Sequence, residues 1–385
     1  MSATAWTELV ANVHSSGCQA VIAVTGGGSK AISQLLEIPG GSRTVLEAVV
    51  PYSPAALEDW LGGPVDQACS EPTARAMAMA AWMRARKLAP EADPHQLIGI
   101  GATASLASDR PKQGGHRVHV AVQTATATSS FSLPLAKGAR DRKKEEWLAA
   151  KLVLTVLGEA AGVDAAAARQ ALLDQLHDDE PVQQCHQEAQ GPWTELLLGQ
   201  KAWVAETPSP QAVFPGAFNL PHAGHRRLAQ VAAKRLAQPV AYELSITNVD
   251  KSPLDFIEIA TRLDALRQLD GSATVLLTAA PTFRQKAALF AGCTFVVGAD
   301  TIVRIGDPRY YDGGPSGCEA ALGEIAAHGC RFLVFGRQLD NRFRVLSDLA
   351  IPNSLRALCD EVPETEFRED VSSTELRQNE DSPTS

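Results

Sequence analysis

The sequence predicts an α/β protein of two domains, and three observations carry that prediction. Strand-like and helix-like segments alternate along most of the chain, the pattern that builds βαβ units and a parallel sheet. The runs 294–297 (TFVV) and 332–335 (FLVF) are almost unbroken apolar stretches, as strands of a parallel sheet covered on both faces are. The length of 385 residues corresponds to two or three domains at roughly 100–200 residues each.

The elements follow in order. Residues 19–24 (QAVIAV) read as a strand ending at Thr25-Gly26-Gly27-Gly28. Residues 72–88 are rich in Ala, Met and Arg, which lose little entropy in a helix. Residues 118–122 read as a strand, and 143–157 carry apolar residues at helical spacing. Residues 163–176 are Ala-rich and helical. The character changes between Asp178 and Pro210: an acidic break, a polar stretch at 183–190, and Thr207-Pro208-Ser209-Pro210, whose prolines favour extended backbone. The main domain boundary is expected here. Beyond it, 212–214 reads as a strand, 223–236 as a helix, and 242–246 and 274–277 as strands. Trp193 and Trp203, within the break, are expected to pack on a domain surface.

Composition excludes several classes. Hydrophobic residues make up 45% and charged residues 21%, the balance of a globular chain. Lys and Arg total 35 against 44 Asp and Glu, a net charge of −9. A global grip on nucleic acid or an anionic membrane is therefore not expected, and phosphate chemistry must use local positive groups. Seven scattered cysteines form no CxxC pair, which argues against a disulfide framework and a structural zinc. No signal peptide or membrane span is expected, and the cytoplasm is the expected compartment.

The strongest motif runs from Gly216 through Ala217, Phe218, Asn219, Leu220, Pro221, His222, Ala223 and Gly224 to His225. It follows a strand and opens a helix. Two histidines three apart there can face one side. The free N–H groups of a helix N-terminus favour an anion. A second motif, Val371-Ser372-Ser373-Thr374-Glu375-Leu376-Arg377, places three hydroxyls and an arginine able to grip phosphate in bidentate fashion.

These segments carry a family resemblance. GAFNLPHAGH resembles the GxFxPxHxGH signature of the HxGH nucleotidylyltransferases, with Asn219-Leu220 as a variant, and VSSTELR resembles their closing ISSTxxR signature. Phe295-Val296-Val297-Gly298-Ala299-Asp300-Thr301 looks like the corresponding strand end of nicotinamide- and nicotinate-nucleotide adenylyltransferases. The resemblance implies a Rossmann-like, doubly wound parallel sheet over residues 207–377. It implies in-line attack of a phosphorylated acceptor on the α-phosphate of ATP or another nucleoside triphosphate, with release of pyrophosphate. His222, His225 and Arg377 would be catalytic. Gly216, Ala217, Phe218, Gly224, Gly298, Asp300, Ser372, Ser373 and Thr374 would bind nucleotide, and Mg²⁺ would shield the phosphates. No metal site built of protein ligands is expected. The acceptor is expected to be nicotinamide or nicotinate mononucleotide. The alternatives are a cytidylyltransferase-type enzyme acting on another phosphorylated acceptor, and a non-catalytic nucleotide-binding scaffold. Asn248-Val249-Asp250-Lys251, Arg284 and Lys286 are further candidates for acceptor contacts, the last two weighed against a solvated helix face.

Residues 1–160 carry a second resemblance. Val24-Thr25-Gly26-Gly27-Gly28, Ile38-Pro39-Gly40-Gly41-Ser42 and Val50-Pro51-Tyr52-Ser53 are similar to the C-terminal domain of the CinA family, an α/β domain whose active members are nicotinamide-nucleotide amidases. The departures weigh more than the match. Ile22-Ala23-Val24 stands where the family has its serine nucleophile, and Leu57 where it has a lysine. The resemblance therefore implies a degenerate amidase domain that binds a nucleotide or forms a homo-oligomer. Residues 161–206 read as a helical and polar linker, and 378–385 as a disordered tail. Gly26-x-Gly28-x-x-Ala31 is a weaker rival reading as a dinucleotide fingerprint. The run Arg140–Glu146 reads as a solvated face. His116 and His119 alternate across a strand and are not expected to share a metal, and Cys185-His186 has no ligand partner at metal spacing.

Overall fold

The structure is a computed structural model that describes residues 2–109, 114–205, 210–247, 252–339 and 342–368. Its contacts divide the chain into two units, residues 1–198 with 250–258, and 199–249 with 259–385.

The first unit is built on strands β1 (Gln19–Thr25), β2 (Val45–Val49), β3 (Leu97–Ser105), β4 (His116–Gln123), β5 (Ala127–Leu135) and β6 (Gln183–Glu188), in the order β2-β1-β3-β4-β5-β6. Only β2, β1 and β3 run parallel; the other pairs are antiparallel. The sheet is mixed for a local reason. Three residues join β4 to β5, with Thr124 Oγ1 accepting from the N–H groups of Thr126 and Ala127. So short a connection can only reverse the chain. Alternation along β1 sends Ile22 and Val24 into a core with helices Ser2–Ser15 and Arg142–Ala160, and Ala23 into one with Met77 of helix Glu71–Leu88. Helices thus cover both faces.

Residues 161–198 do not behave as a linker. They supply helix Ala166–Leu173, strand β6 and helix Gly191–Leu197 to the first unit. β6 is a polar edge strand, held by backbone pairing to β5 from Ala127↔Glu188 to Ser132↔Gln183. Trp193 is buried and stacks on Phe256 at 6.2 Å. Residues 250–258 join this unit through Asp255, which pairs with the buried Arg75 at 2.5 Å, and through Phe256 N–H, which donates to Thr128 Oγ1 at 3.0 Å.

The second unit holds β7 (Trp203–Val204), β8 (Ala212–Pro215), β9 (Ala241–Ser245), β10 (Val275–Thr278), β11 (Thr294–Gly298), β12 (Arg331–Phe335) and β15 (Cys359–Val362). A small hairpin, β13 (Arg337–Leu339) and β14 (Arg342–Arg344), stands apart from that sheet. The seven-stranded order is β15-β12-β11-β8-β9-β10-β7, parallel except for β7. Phe295 and Val297 enter one core with helices Phe283–Leu289, Ala299–Ile305 and Gly314–Ala327, while Val296 enters the other with Leu228 and Ala232 of helix Ala223–Leu236. Burial on both faces is why the apolar run is continuous. From β8 the chain first builds β9 and β10 on one side, then β11 and β12 on the other. The direction of winding therefore reverses between β8 and β11. Among the described residues no helix is long and apolar enough to cross a membrane.

Candidate active site

In open parallel sheets the crevice beyond the strand ends at such a reversal is where ligands bind. Here β8 ends in the Gly216–His225 motif and β11 ends in Gly298-Ala299-Asp300.

The motif folds as a strained loop leading into a helix. Phe218 (φ 46°) and Leu220 (φ 83°) lie in the left-handed region, which costs non-glycine residues about 1–3 kcal/mol each. The Phe218 ring holds the loop in place. It is buried, edge-on to Phe214 at 5.4 Å, Tyr242 at 5.5 Å and His225 at 5.5 Å. Gly216 is required by that packing, because a Cβ there would stand 2.6 Å from the ring.

His222 is the N-cap of helix Ala223–Leu236. Its Nδ1 accepts from Gly224 N–H at 3.2 Å, and its own N–H donates to His225 Nδ1 at 3.1 Å. A backbone N–H can only donate, so both Nδ1 atoms are acceptors. In the neutral rings the proton is then on Nε2. The two rings lie 4.0 Å apart, centroid to centroid. Burial, followed by the charges of His222 and Arg337, pushes the pKa of His225 down to about 3. His225 is thus a neutral N–H donor at physiological pH. With Nδ1 occupied and Nε2 protonated, these imidazoles suit phosphate oxygens rather than a metal ion.

At the end of β11, a Cβ on Gly298 would meet Asp300 Oδ1 at 2.4 Å and Arg337 Nε at 3.0 Å. The glycine leaves room for these two side chains to converge. Arg337 was not a candidate from sequence. It opens β13, one residue beyond the end of β12, and acts electrostatically on His225. A basic residue just after a strand was the only signal available. Ala217 is exposed, and its carbonyl accepts from Arg262 Nη1 at 2.7 Å. Gly224, in the first turn, is buried. The fold therefore brings Gly216, Ala217, Phe218, His222, Gly224 and His225 to the end of β8, and Gly298 and Asp300 to the end of β11. Ser372, Ser373, Thr374 and Arg377 lie outside the described residues, as does Asn248–Lys251.

Two other candidates are corrected. Lys286 is not on a solvated face: it is buried, and its Nζ donates to Glu243 Oε1 and to the Ala280 carbonyl, each at 2.7 Å. Arg284 is exposed and pairs with Glu324. Neither is offered to a ligand.

In the first unit the run Arg140–Glu146 is a solvated face only in part: Asp141, Lys143 and Lys144 are exposed, but Glu145 and Glu146 are buried. Glu146 accepts from Gly28 N–H at 2.9 Å, Ser29 Oγ at 2.9 Å and Lys30 N–H at 3.2 Å. Glu145 is hydrogen-bonded to His116 Nδ1 at 2.7 Å and accepts from Ala107 N–H at 2.6 Å. The donors of the glycine turn thus face an internal carboxylate, which excludes the dinucleotide reading. His119 bonds Ser132 instead, at 2.7 Å. Ile22, Ala23 and Val24 are buried in β1, Leu57 is buried, and Tyr52 is exposed. The positions before the turn thus carry no hydroxyl, and the one hydroxyl just after it, Ser29, is bonded to the buried Glu146.

Residues 213–379 match the family model described as cytidylyltransferase-like. This segment is similar to cytidylyltransferase-like nucleotidyltransferase domains. Two solved structures are similar to 40% of the chain. One is the competence/damage-inducible protein CihA of Agrobacterium tumefaciens, with 20% identity, 95% of that chain covered and a TM-score of 0.32. The other is a CinA superfamily protein of Escherichia coli, with 20% identity, 88% covered and a TM-score of 0.31. No curated protein matches the chain.

Proposed function

We propose that the cytidylyltransferase-like domain transfers AMP from ATP to nicotinamide or nicotinate mononucleotide. The observation that carries this reading is the pair of Nε2–H imidazole donors at a helix N-terminus, beside Arg337, where the winding of the sheet reverses. A phosphate oxygen of the acceptor attacks the α-phosphorus. The new P–O bond forms as the α–β bond breaks, and pyrophosphate leaves with the electron pair. His222 and His225 hold the α-phosphate oxygens and stabilise charge that grows in the transition state. They donate hydrogen bonds and need not move a proton. Arg337 adds positive charge, and Asp300 would orient a ribose. Ser372, Ser373, Thr374 and Arg377 would hold the β- and γ-phosphates. Mg²⁺ would enter with the triphosphate and offset its charge. Support for a pyridine nucleotide acceptor is the resemblance of Phe295–Thr301.

The family match favours a second reading, cytidylyl transfer to another phosphorylated acceptor, since the same donors would grip CTP. Pyrophosphate release with Mg²⁺ and pairs of triphosphate and acceptor separates them. Turnover is expected with ATP and a pyridine mononucleotide. Turnover only with CTP and a phosphorylated alcohol would select the second reading. None with any pair would leave a nucleotide-binding scaffold.

A further inference from the structure

The first unit contains an open cleft of about 530 Å³ that the strand-end site does not use. Its floor is apolar, formed by Trp6, Trp147, Leu148 and Leu154, and its rim carries Arg140, Lys144 and Lys151. Among the described residues no carboxylate lines it. Arg140 is already neutralised by the buried Glu180. The lysines are not neutralised. Lys144 is exposed and forms no ion pair among the described residues. Among the described residues Lys151 donates only to the amide oxygen of Gln175, and it lies 5.9 Å from the centre of the Trp6 ring. Lys30, outside the lining, holds its ammonium 4.4 Å from the centre of the Trp147 ring and forms no ion pair among the described residues. Burial lowers the pKa of Lys151, so this charge is held partly out of water. Positive charge without counterions is unexpected in a chain of net charge −9.

We propose that this cleft binds a small anion built on a planar aromatic ring, with its ring on the Trp6–Trp147 floor and its anionic head at Lys144 and Lys151. Indole surfaces gain from ring contact beyond simple area burial. A lysine ammonium is a compact point charge suited to a carboxylate or phosphate head. The cleft lies in the usual size range of small-molecule sites.

The test uses the full-length protein and the fluorescent aromatic anion 1-anilinonaphthalene-8-sulfonate. Saturable binding is expected, weakened at least tenfold by Lys144→Glu and by Trp147→Leu, and unchanged by His225→Ala in the other unit. Lys144 is exposed and unpaired, so its variant is expected to keep the wild-type Tm. 2-Naphthoate or 2-naphthyl phosphate is expected to displace the dye at least tenfold more effectively than neutral 2-naphthol and than inorganic phosphate. The better of the two identifies the head group. Binding indifferent to both cleft substitutions would overturn the proposal. So would displacement by naphthol or by inorganic phosphate as effective as that by the aromatic anions.

Discussion

The backbone N–H of His222 donates to Nδ1 of His225 at 3.1 Å, while His222 Nδ1 accepts from Gly224 at 3.2 Å. The two imidazoles cap the helix with one edge and keep an N–H on the other. On the proposed reading, one arrangement therefore serves both folding and catalysis. His225→Ala is expected to lower the rate of pyrophosphate release by about 10²–10³, the usual effect of deleting one preorganised donor, and to cost about 1 kcal/mol through the lost cap. His225→Gln keeps both an acceptor for the cap and an N–H donor, so it should recover the stability and part of the rate. Equal activity in the alanine variant and the wild type would remove His225 from the mechanism.

The depressed pKa of His225 has a consequence for acid stability. Between about 3, its folded value, and 6.5, the ordinary value, the unfolded chain binds a proton that the folded chain excludes. Stability therefore rises with pH through this window and is lost as pH falls. Denaturant unfolding at a series of pH values should show that slope. His225→Gln should reduce it by at most one proton, about 1.4 kcal/mol per pH unit. An unreduced slope would assign the proton uptake to other groups.

Gly216→Ala places a methyl 2.6 Å from the Phe218 ring. The ring cannot retreat, since Phe214 and Tyr242 surround it. Overpacking of this kind costs about 1–3 kcal/mol. The displaced loop should also raise KM for the triphosphate. Urea unfolding and initial rates measure the two effects, and a variant with normal stability would show the loop to be slack.

Lys286 and Glu243 form a buried ion pair at 2.7 Å, with Thr278 Oγ1 also donating to Glu243. Lys286→Met leaves a buried carboxylate uncompensated and should cost about 3–5 kcal/mol. Adding Glu243→Gln should recover much of the loss. Additive losses in the double variant would show that the two charges do not depend on each other.

The first unit is expected to release no ammonia from nicotinamide mononucleotide, because the residues before its glycine turn are Ile22, Ala23 and Val24. Ammonia release that persists in the His225→Ala variant would contradict this. Glu146→Ala should destabilise the unit by about 1–3 kcal/mol through unsatisfied N–H groups.

The elements read best from sequence were those with strong local signals. Helix Ala223–Leu236 and the strands around residues 19–24, 294–297 and 332–335 stand where apolar patterning placed them. β6 was missed because QQCHQE has no apolar alternation. An edge strand can be held by backbone pairing alone. Lys286 and Glu146 were misjudged because a charge in sequence does not reveal whether a partner far along the chain will bury it. Arg337 was missed because its neighbours at the site come from other strands.

The sequence by itself determined the two α/β units, the histidine motif at a strand-to-helix junction and the absence of a serine before the first glycine turn. These are local properties, set by periodicity, turn chemistry and residue identity over a few positions. The tertiary structure decided which ring nitrogens carry the protons, how far the His225 pKa falls, and that Asp300 and Arg337 converge at Gly298 while Arg337 acts on His225. It also decided that Glu146 meets Gly28 N–H, Ser29 Oγ and Lys30 N–H at the glycine turn. Each depends on strands distant in sequence becoming neighbours in a sheet, which brings charges and donors together at separations that the order of residues does not encode.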